Sequence, residues 1–206
     1  MATARFLVGP VCDVVATLDD RSINSVITSP PYWRKRSYLE PADPLKEHEW
    51  GQEPTPGEFL VHLLQLTDLL WDKVVDDGTI WFNLGDTASG SGGAGGDYDP
   101  DGQRAGQPKW TGSARSSTGS ADQPRHKSVC WLPELFGASL AYGRNLLTGD
   151  PCRQWITRPP VVWCKPAPTP GEIFDKFREA TELFIWASKQ PSYYFDLDAV
   201  RIPYAD

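Results

Sequence analysis

Ser25-Val26-Ile27-Thr28 runs directly into Ser29-Pro30-Pro31-Tyr32-Trp33. The first four residues are short and mostly β-branched, which predicts a buried strand. The prolines end it, because each fixes φ, lacks a backbone N–H and restricts the residue before it. A strand therefore delivers a stiff loop bearing a hydroxyl and an aromatic ring.

Working outward, Arg5 to Val8 is a short apolar run predicted as a strand, and Val11 to Leu18 has apolar residues at helical spacing. A polar, Pro-rich loop follows Trp33 as far as Pro54. Thr55-Pro56-Gly57-Glu58 then fits a capping box, with Thr55 as N-cap, Pro56 at the first helical position and Glu58 reaching back. Phe59, Leu60, Leu63, Leu64, Leu66, Leu69, Leu70 and Val74 mark a long amphipathic helix ending near Asp76-Asp77-Gly78. Thr79 to Leu84 is a strand. From Gly85 to about Lys127 the composition shifts to Gly, Ser, Asp and Gln, which predicts a long loop. Gly90 to Gly96 lacks the spacing of a dinucleotide-binding turn and belongs to that loop. Leu132 to Tyr142 reads as a helix, Trp155 to Trp163 and Glu182 to Ser188 as strands, and Tyr193-Tyr194-Phe195 as a short extended piece.

This alternation predicts one α/β domain over residues 1–206, its sheet closed by an antiparallel pair at one edge. Ligands of such sheets gather at the carboxyl ends of the strands. Ser29-Pro30-Pro31-Tyr32 and Asn83-Leu84-Gly85-Asp86 both fall there.

The net charge of −7 excludes nucleic-acid binding through a uniform positive field. Contact with a polyanion has to come from local clusters. Arg34-Lys35-Arg36 is one, and Arg104, Lys109, Arg115, Arg125, His126 and Lys127 form a looser second. Of nine tryptophans, Trp33 and Trp110 lie in loop-like stretches where a flat face could stack on a base. The four cysteines show no C-x-x-C pairing and no histidine at ligand spacing, so no metal site is expected. With no bilayer-length apolar stretch and no signal-peptide core, the sequence predicts a cytoplasmic protein with reduced thiols.

The exocyclic amine of cytosine or adenine is a poor nucleophile, because its lone pair is delocalised into the ring. Methylating it requires acceptors for its hydrogens, arranged so that the nitrogen faces an electrophilic methyl group. Ser29 supplies a side-chain acceptor and the Pro30 carbonyl a second, while Pro31 fixes the turn. Tyr32 offers a face for a base flipped out of the duplex.

These residues resemble motif IV of the amino-methyltransferases, S/D/N-P-P-Y/W. Serine followed by Tyr32-Trp33 is most similar to the N4-cytosine members; the N6-adenine members more often carry aspartate. Further stretches resemble the family in its own order: Gly51-Gln52-Glu53-Pro54-Thr55-Pro56, Asp77 through Asp86, Val162-Trp163-Cys164-Lys165-Pro166, and Tyr193-Tyr194-Phe195-Asp196 to Val200-Arg201. The resemblance implies a Rossmann-like methyltransferase sheet and S-adenosylmethionine (SAM) as cofactor, with DNA as partner. It implies catalytic roles for Ser29, Pro30, Pro31 and Tyr32, and cofactor contacts at Asn83, Gly85 and Asp86. Trp33, Arg34, Lys35 and Arg36 would border the DNA.

Three features depart from the family pattern. No F-x-G-x-G cofactor turn occurs, and Gly9-Pro10 stands where the family usually has Gly-Asp. Where the family has a polar segment ending in His-Glu, this chain has Thr181-Glu182, for which a structural role is expected. The sheet is accordingly expected to be partly incomplete, with an exposed edge; either a second polypeptide completes the cofactor site, or the chain is a truncated derivative that no longer methylates, or it is the N-terminal part of a longer enzyme. A degenerate or split module that binds DNA or a partner subunit is the alternative reading.

Overall fold

The computed structural model describes residues 3–40, 42–89, 123–167 and 177–202. Arg104, Lys109, Trp110, Arg115 and the Gly90 to Gly96 run lie outside the described residues.

The apolar spacing after Pro10 forms a short helix, α1, Val11–Ala16. The strand before the diproline is β1, Ile23–Thr28. It pairs in parallel with β2, Val74–Leu84, which is reached through α2, Pro56–Lys73. The capping box at the start of α2 is formed: Thr55 Oγ1 accepts from the Glu58 amide at 3.2 Å, and the Glu58 carboxylate accepts from the Thr55 amide at 3.0 Å. The apolar stripe of α2 then buries Phe59, Leu60, Leu63, Leu64, Leu66 and Leu70 in the core. α3, Leu132–Tyr142, adds Leu132, Phe136 and Leu140 to the same core. Phe136 packs against Phe82 of β2 at 5.0 Å between ring centroids.

The antiparallel part is larger than the sequence suggests. Two strands, β3, Ile156–Thr157, and β4, Val161–Cys164, pair with β5, Thr181–Ser188, which itself runs antiparallel to β2. The stretch expected as one strand, Trp155 to Trp163, is broken at Arg158-Pro159-Pro160. Two prolines in succession offer no ladder donors, and pairing resumes at Val161 opposite Phe184.

Three other expectations change. Arg5 to Val8 is not a strand; it has no strand partner among the described residues, and Phe6 and Val8 are almost fully exposed. Asp76-Asp77-Gly78 is no helix stop, because α2 hands over to β2 at Val74 without a loop. These residues bulge within β2 instead, so that Ile23 faces Val74 while Ser25 faces Thr79. Tyr193 to Phe195 is not a strand either; Tyr193 packs edge-on against Trp186, and a short helix α4, Leu197–Val200, follows.

Among the described strands, β1 has β2 as its single neighbour and forms a sheet edge. Ile27 of β1 is 75% exposed. No described helix is long and apolar enough to cross a membrane.

Candidate active site

Strand register builds the site. In the parallel pair Thr28 faces Phe82, so the next residues, Ser29 and Asn83, emerge together at the carboxyl ends. In the antiparallel pair Leu84 faces Leu183, which brings Glu182 alongside the Gly85 turn. On the other side of β5, Trp163 faces Glu182, and the Lys165 amide donates to the Ala180 carbonyl. Four segments distant in sequence thus meet at one end of the sheet.

Tyr32 lies at their centre. Its hydroxyl is 2.8 Å from the Asn83 side-chain oxygen and 3.0 Å from Glu182 Oε2. The Ser29 hydroxyl donates to Tyr32 Oη at 3.4 Å and lies 3.5 Å from the same Asn83 oxygen. The second Glu182 oxygen is ion-paired with Lys165. Burial above all, and then the Glu182 carboxylate, raise the Tyr32 phenol to about 12, against the opposing pull of the Ser29 hydrogen bond. Tyr32 therefore keeps its proton throughout the physiological range.

Two glycines make room for this loop. A Cβ on Gly85 would meet the Tyr32 ring at 2.5 Å, so the ring rests directly on the Gly85 backbone. Gly51 has φ +85, and a Cβ there would meet the Tyr32 carbonyl at 2.9 Å and Pro31 Cβ at 3.2 Å. The Arg34 amide closes the turn by donating to the Gly51 carbonyl. Pro30 is buried, Pro31 and Tyr32 are partly buried, and Ser29 is exposed.

The residues expected to hold a cofactor have protein partners. Asn83 and Gly85 seat Tyr32. Asp86 caps α3: its carboxylate accepts from the amides of Trp131 at 2.7 Å and Leu132 at 3.3 Å. Trp131 adopts the left-handed conformation and offers no side-chain cap of its own, so Asp86 supplies the missing acceptor.

The DNA-facing set also divides. Trp33 is not a stacking surface but a core residue, 2% exposed, with Nε1 donating to the Glu53 carbonyl at 2.9 Å. Pro30 and Pro31 turn the chain back inward, and the following indole fills the space behind the loop. Trp33→Ala is accordingly expected to destabilise the protein by about 3–5 kcal/mol, measured by urea unfolding. Trp163→Ala, at a half-exposed indole, should cost far less. Arg34 is partly taken up by the fold, with its guanidinium 4.5 Å from the Trp33 ring centroid and bonded to the Pro54 carbonyl. Lys35 and Arg36 are exposed. Arg125, His126 and Lys127 of the second cluster are exposed as well. The described residues flanking 90–122 are held together: the Ser89 and Lys127 amides donate to the Ser128 and Ser89 carbonyls, and Ala88 bridges Val129.

Glu182 is the site residue that sequence reasoning misses. The threonine in place of the expected histidine before it points to a structural role, yet its carboxylate reaches the site. The signal available is a carboxylate at the start of a strongly apolar strand, Glu182 to Ser188.

Comparison with known proteins places the chain in a family. A family model described as DNA methylase, of the N6/N4 class, matches residues 23–206. The type II methyltransferase M.SfiI of Streptomyces fimbriatus is 29% identical over 197 residues, covering 96% of this chain and 38% of that protein. M.SmaI of Serratia marcescens is 26% identical over 206 residues, covering 100% and 63%. M.XycI of Xanthomonas campestris pv. cyanopsidis is 30% identical over 199 residues, covering 95% and 57%. The chain thus spans between 38% and 63% of the length of these relatives. Among solved structures, the cytosine-N4-specific PvuII DNA methyltransferase aligns with a TM-score of 0.54 at 16% identity, covering 94% of this chain and 51% of its own. A DNA modification methylase of Thermus thermophilus, TTHA0409, complexed with S-adenosyl-L-methionine, aligns at 0.51 and 18% identity, covering 95% and 61%. The fold is therefore that of a Rossmann-like methyltransferase. With a serine–diproline–tyrosine turn at the tip of β1 and the family pattern matched from Ile23 onward, this chain belongs to the N6/N4 DNA methylase family.

Proposed function

We propose that this chain is the catalytic part of a DNA methyltransferase that modifies the exocyclic amine of a base, cytosine N4 in preference to adenine N6. The observation that carries this reading is the exposed Ser29 hydroxyl at a strand tip, held beside a tyrosine ring seated on bare backbone. Ser29 accepts one amine hydrogen and the Pro30 carbonyl the other, which frees the nitrogen lone pair. Tyr32 stacks on the flipped base with Pro31 stiffening the turn beneath it, and Lys35 and Arg36 attract the phosphate backbone. Arg34 contributes charge at the edge of that patch. Serine in place of aspartate at position 29 supports cytosine N4.

The reaction needs SAM, and the donor chemistry beside the turn suits its cationic groups. Burial first, and then the Asp86 and Glu179 carboxylates, raise the Glu134 carboxyl, which places these acidic groups near one another. Asp86 and Glu134 would hold SAM, with Asn83 and Gly85 completing that side; bound there, it supplies an electrophilic methyl group. A second polypeptide would supply further cofactor contacts. Four free cysteines suit a reducing cytoplasmic setting, and the relatives' type II names support a restriction–modification role.

Mass spectrometry of nucleosides from DNA of cells expressing the chain, with and without its neighbouring reading frames, tests this. N4-methylcytosine is the expected product. N6-methyladenine in its place would reverse the base assignment. Unmodified DNA in every combination would favour a binding module.

A further inference from the structure

The side chains around Tyr32 make a chain of oxygens leading away from Ser29. Ser29 Oγ is 3.4 Å from Tyr32 Oη, which is 3.0 Å from Glu182 Oε2, and the other Glu182 oxygen is paired with Lys165. A phenol carries one proton, so Tyr32 donates to Asn83 or to Glu182 at any moment, not to both. Glu182 is largely buried, with 13% of its side chain exposed.

Resting on the methyltransferase reading above, we propose that Glu182 receives the proton released by the methylated amine, relayed through the hydroxyls of Ser29 and Tyr32. As the nitrogen bonds to the methyl carbon, the carbon–sulfur bond breaks and its electron pair stays on sulfur. The nitrogen then carries a positive charge and one hydrogen too many. That proton passes to Ser29 Oγ, the Ser29 proton to Tyr32 Oη, and the Tyr32 proton to Glu182 Oε2. Both hydroxyls end neutral, Glu182 ends as a neutral carboxyl, and its exposed fraction lets it return the proton to solvent. Serine is too weak a base to keep the proton itself, and it needs a carboxylate behind it to complete the step. The relay assigns Glu182 that task at one hydroxyl's remove, as a positioning and proton-accepting residue.

The titratable and charged groups facing Glu182 among the described residues are Tyr32, from the loop after β1, and Lys165, from the end of β4. Asn83, from β2, is neutral. Protonation of Glu182 at low pH blocks the relay, so the rate falls on the acid side.

The test is Glu182→Gln in the complete protein that carries this chain, with Glu182→Asp beside it. The glutamine variant is expected to lose roughly 10- to 100-fold in kcat, with KM for DNA unchanged and the acid limb of the pH–rate profile removed. Aspartate should restore part of the rate and the acid limb. Independently of turnover, ultraviolet titration of the phenols against a Tyr32→Phe reference should show the Tyr32 pKa falling when the carboxylate is replaced. Wild-type kcat in Glu182→Gln overturns the proposal. So does a reduced kcat with an unchanged pH profile, since that marks a purely structural residue. An unmoved Tyr32 titration breaks the link between the two groups and overturns it as well. A wild-type protein that methylates no DNA overturns the functional reading itself, and the relay with it.

Discussion

Ser29→Ala is expected to lower kcat for DNA methylation by about 100- to 1,000-fold, the range found when a single preorganised polar contact to the reacting group is removed. The side chain is exposed at the strand tip and packs in no core. Its long contacts to Tyr32 and Asn83 are not what holds the loop. Tyr32 keeps its shorter bonds to Asn83 and Glu182 when the serine hydroxyl is gone. Thermal unfolding should therefore move little, as for most surface substitutions, and DNA affinity measured by filter binding should be retained. This separation of chemistry from stability gives the variant its value. A complete, active preparation that kept its full rate without the hydroxyl would show that Ser29 takes no part in orienting the amine.

The second large effect is expected at Gly85, which has no side chain of its own and seats the Tyr32 ring. A methyl group there would lie 2.5 Å from one ring carbon of Tyr32 and 2.7 Å from another. An aromatic ring cannot yield as a flexible side-chain tip can, so the ring must lift off the β2 turn. Its hydroxyl then leaves Asn83 and Glu182. Gly85→Ala is expected to reduce kcat by about 100-fold through misplacement of the stacking ring, and to destabilise the fold by about 1–3 kcal/mol through overpacking. Adding Tyr32→Ala should recover most of that stability, because the clash disappears, but none of the activity. Additive losses in the double variant would mean that the two residues do not meet.

Several features were legible in the sequence because their causes are local. The capping box Thr55 to Glu58 and the leucine stripe of α2 need neighbours three or four residues away, and both are present in the fold. The extended, β-branched run before Ser29-Pro30-Pro31 needs little more, and it forms β1, though as a partly exposed edge strand and not the buried one expected, because β2 is its single neighbour among the described strands. Methyltransferase-family membership followed from an ordered set of such local patterns.

The partners of the site residues were decided by the tertiary structure alone. Parallel pairing of β1 with β2 sets Ser29 beside Asn83, and antiparallel β5 carries Glu182 to Tyr32 across 150 residues. The same folding set the Asp86 carboxylate against the amides that begin α3, and put Trp33, expected at the DNA border, into the core. Propensity and periodicity act over a turn of helix or a few residues of strand, and so they are written along the chain. Register, the packing behind a loop and the choice of a hydrogen-bond partner depend on which distant segments arrive together, and no single stretch of sequence contains that information.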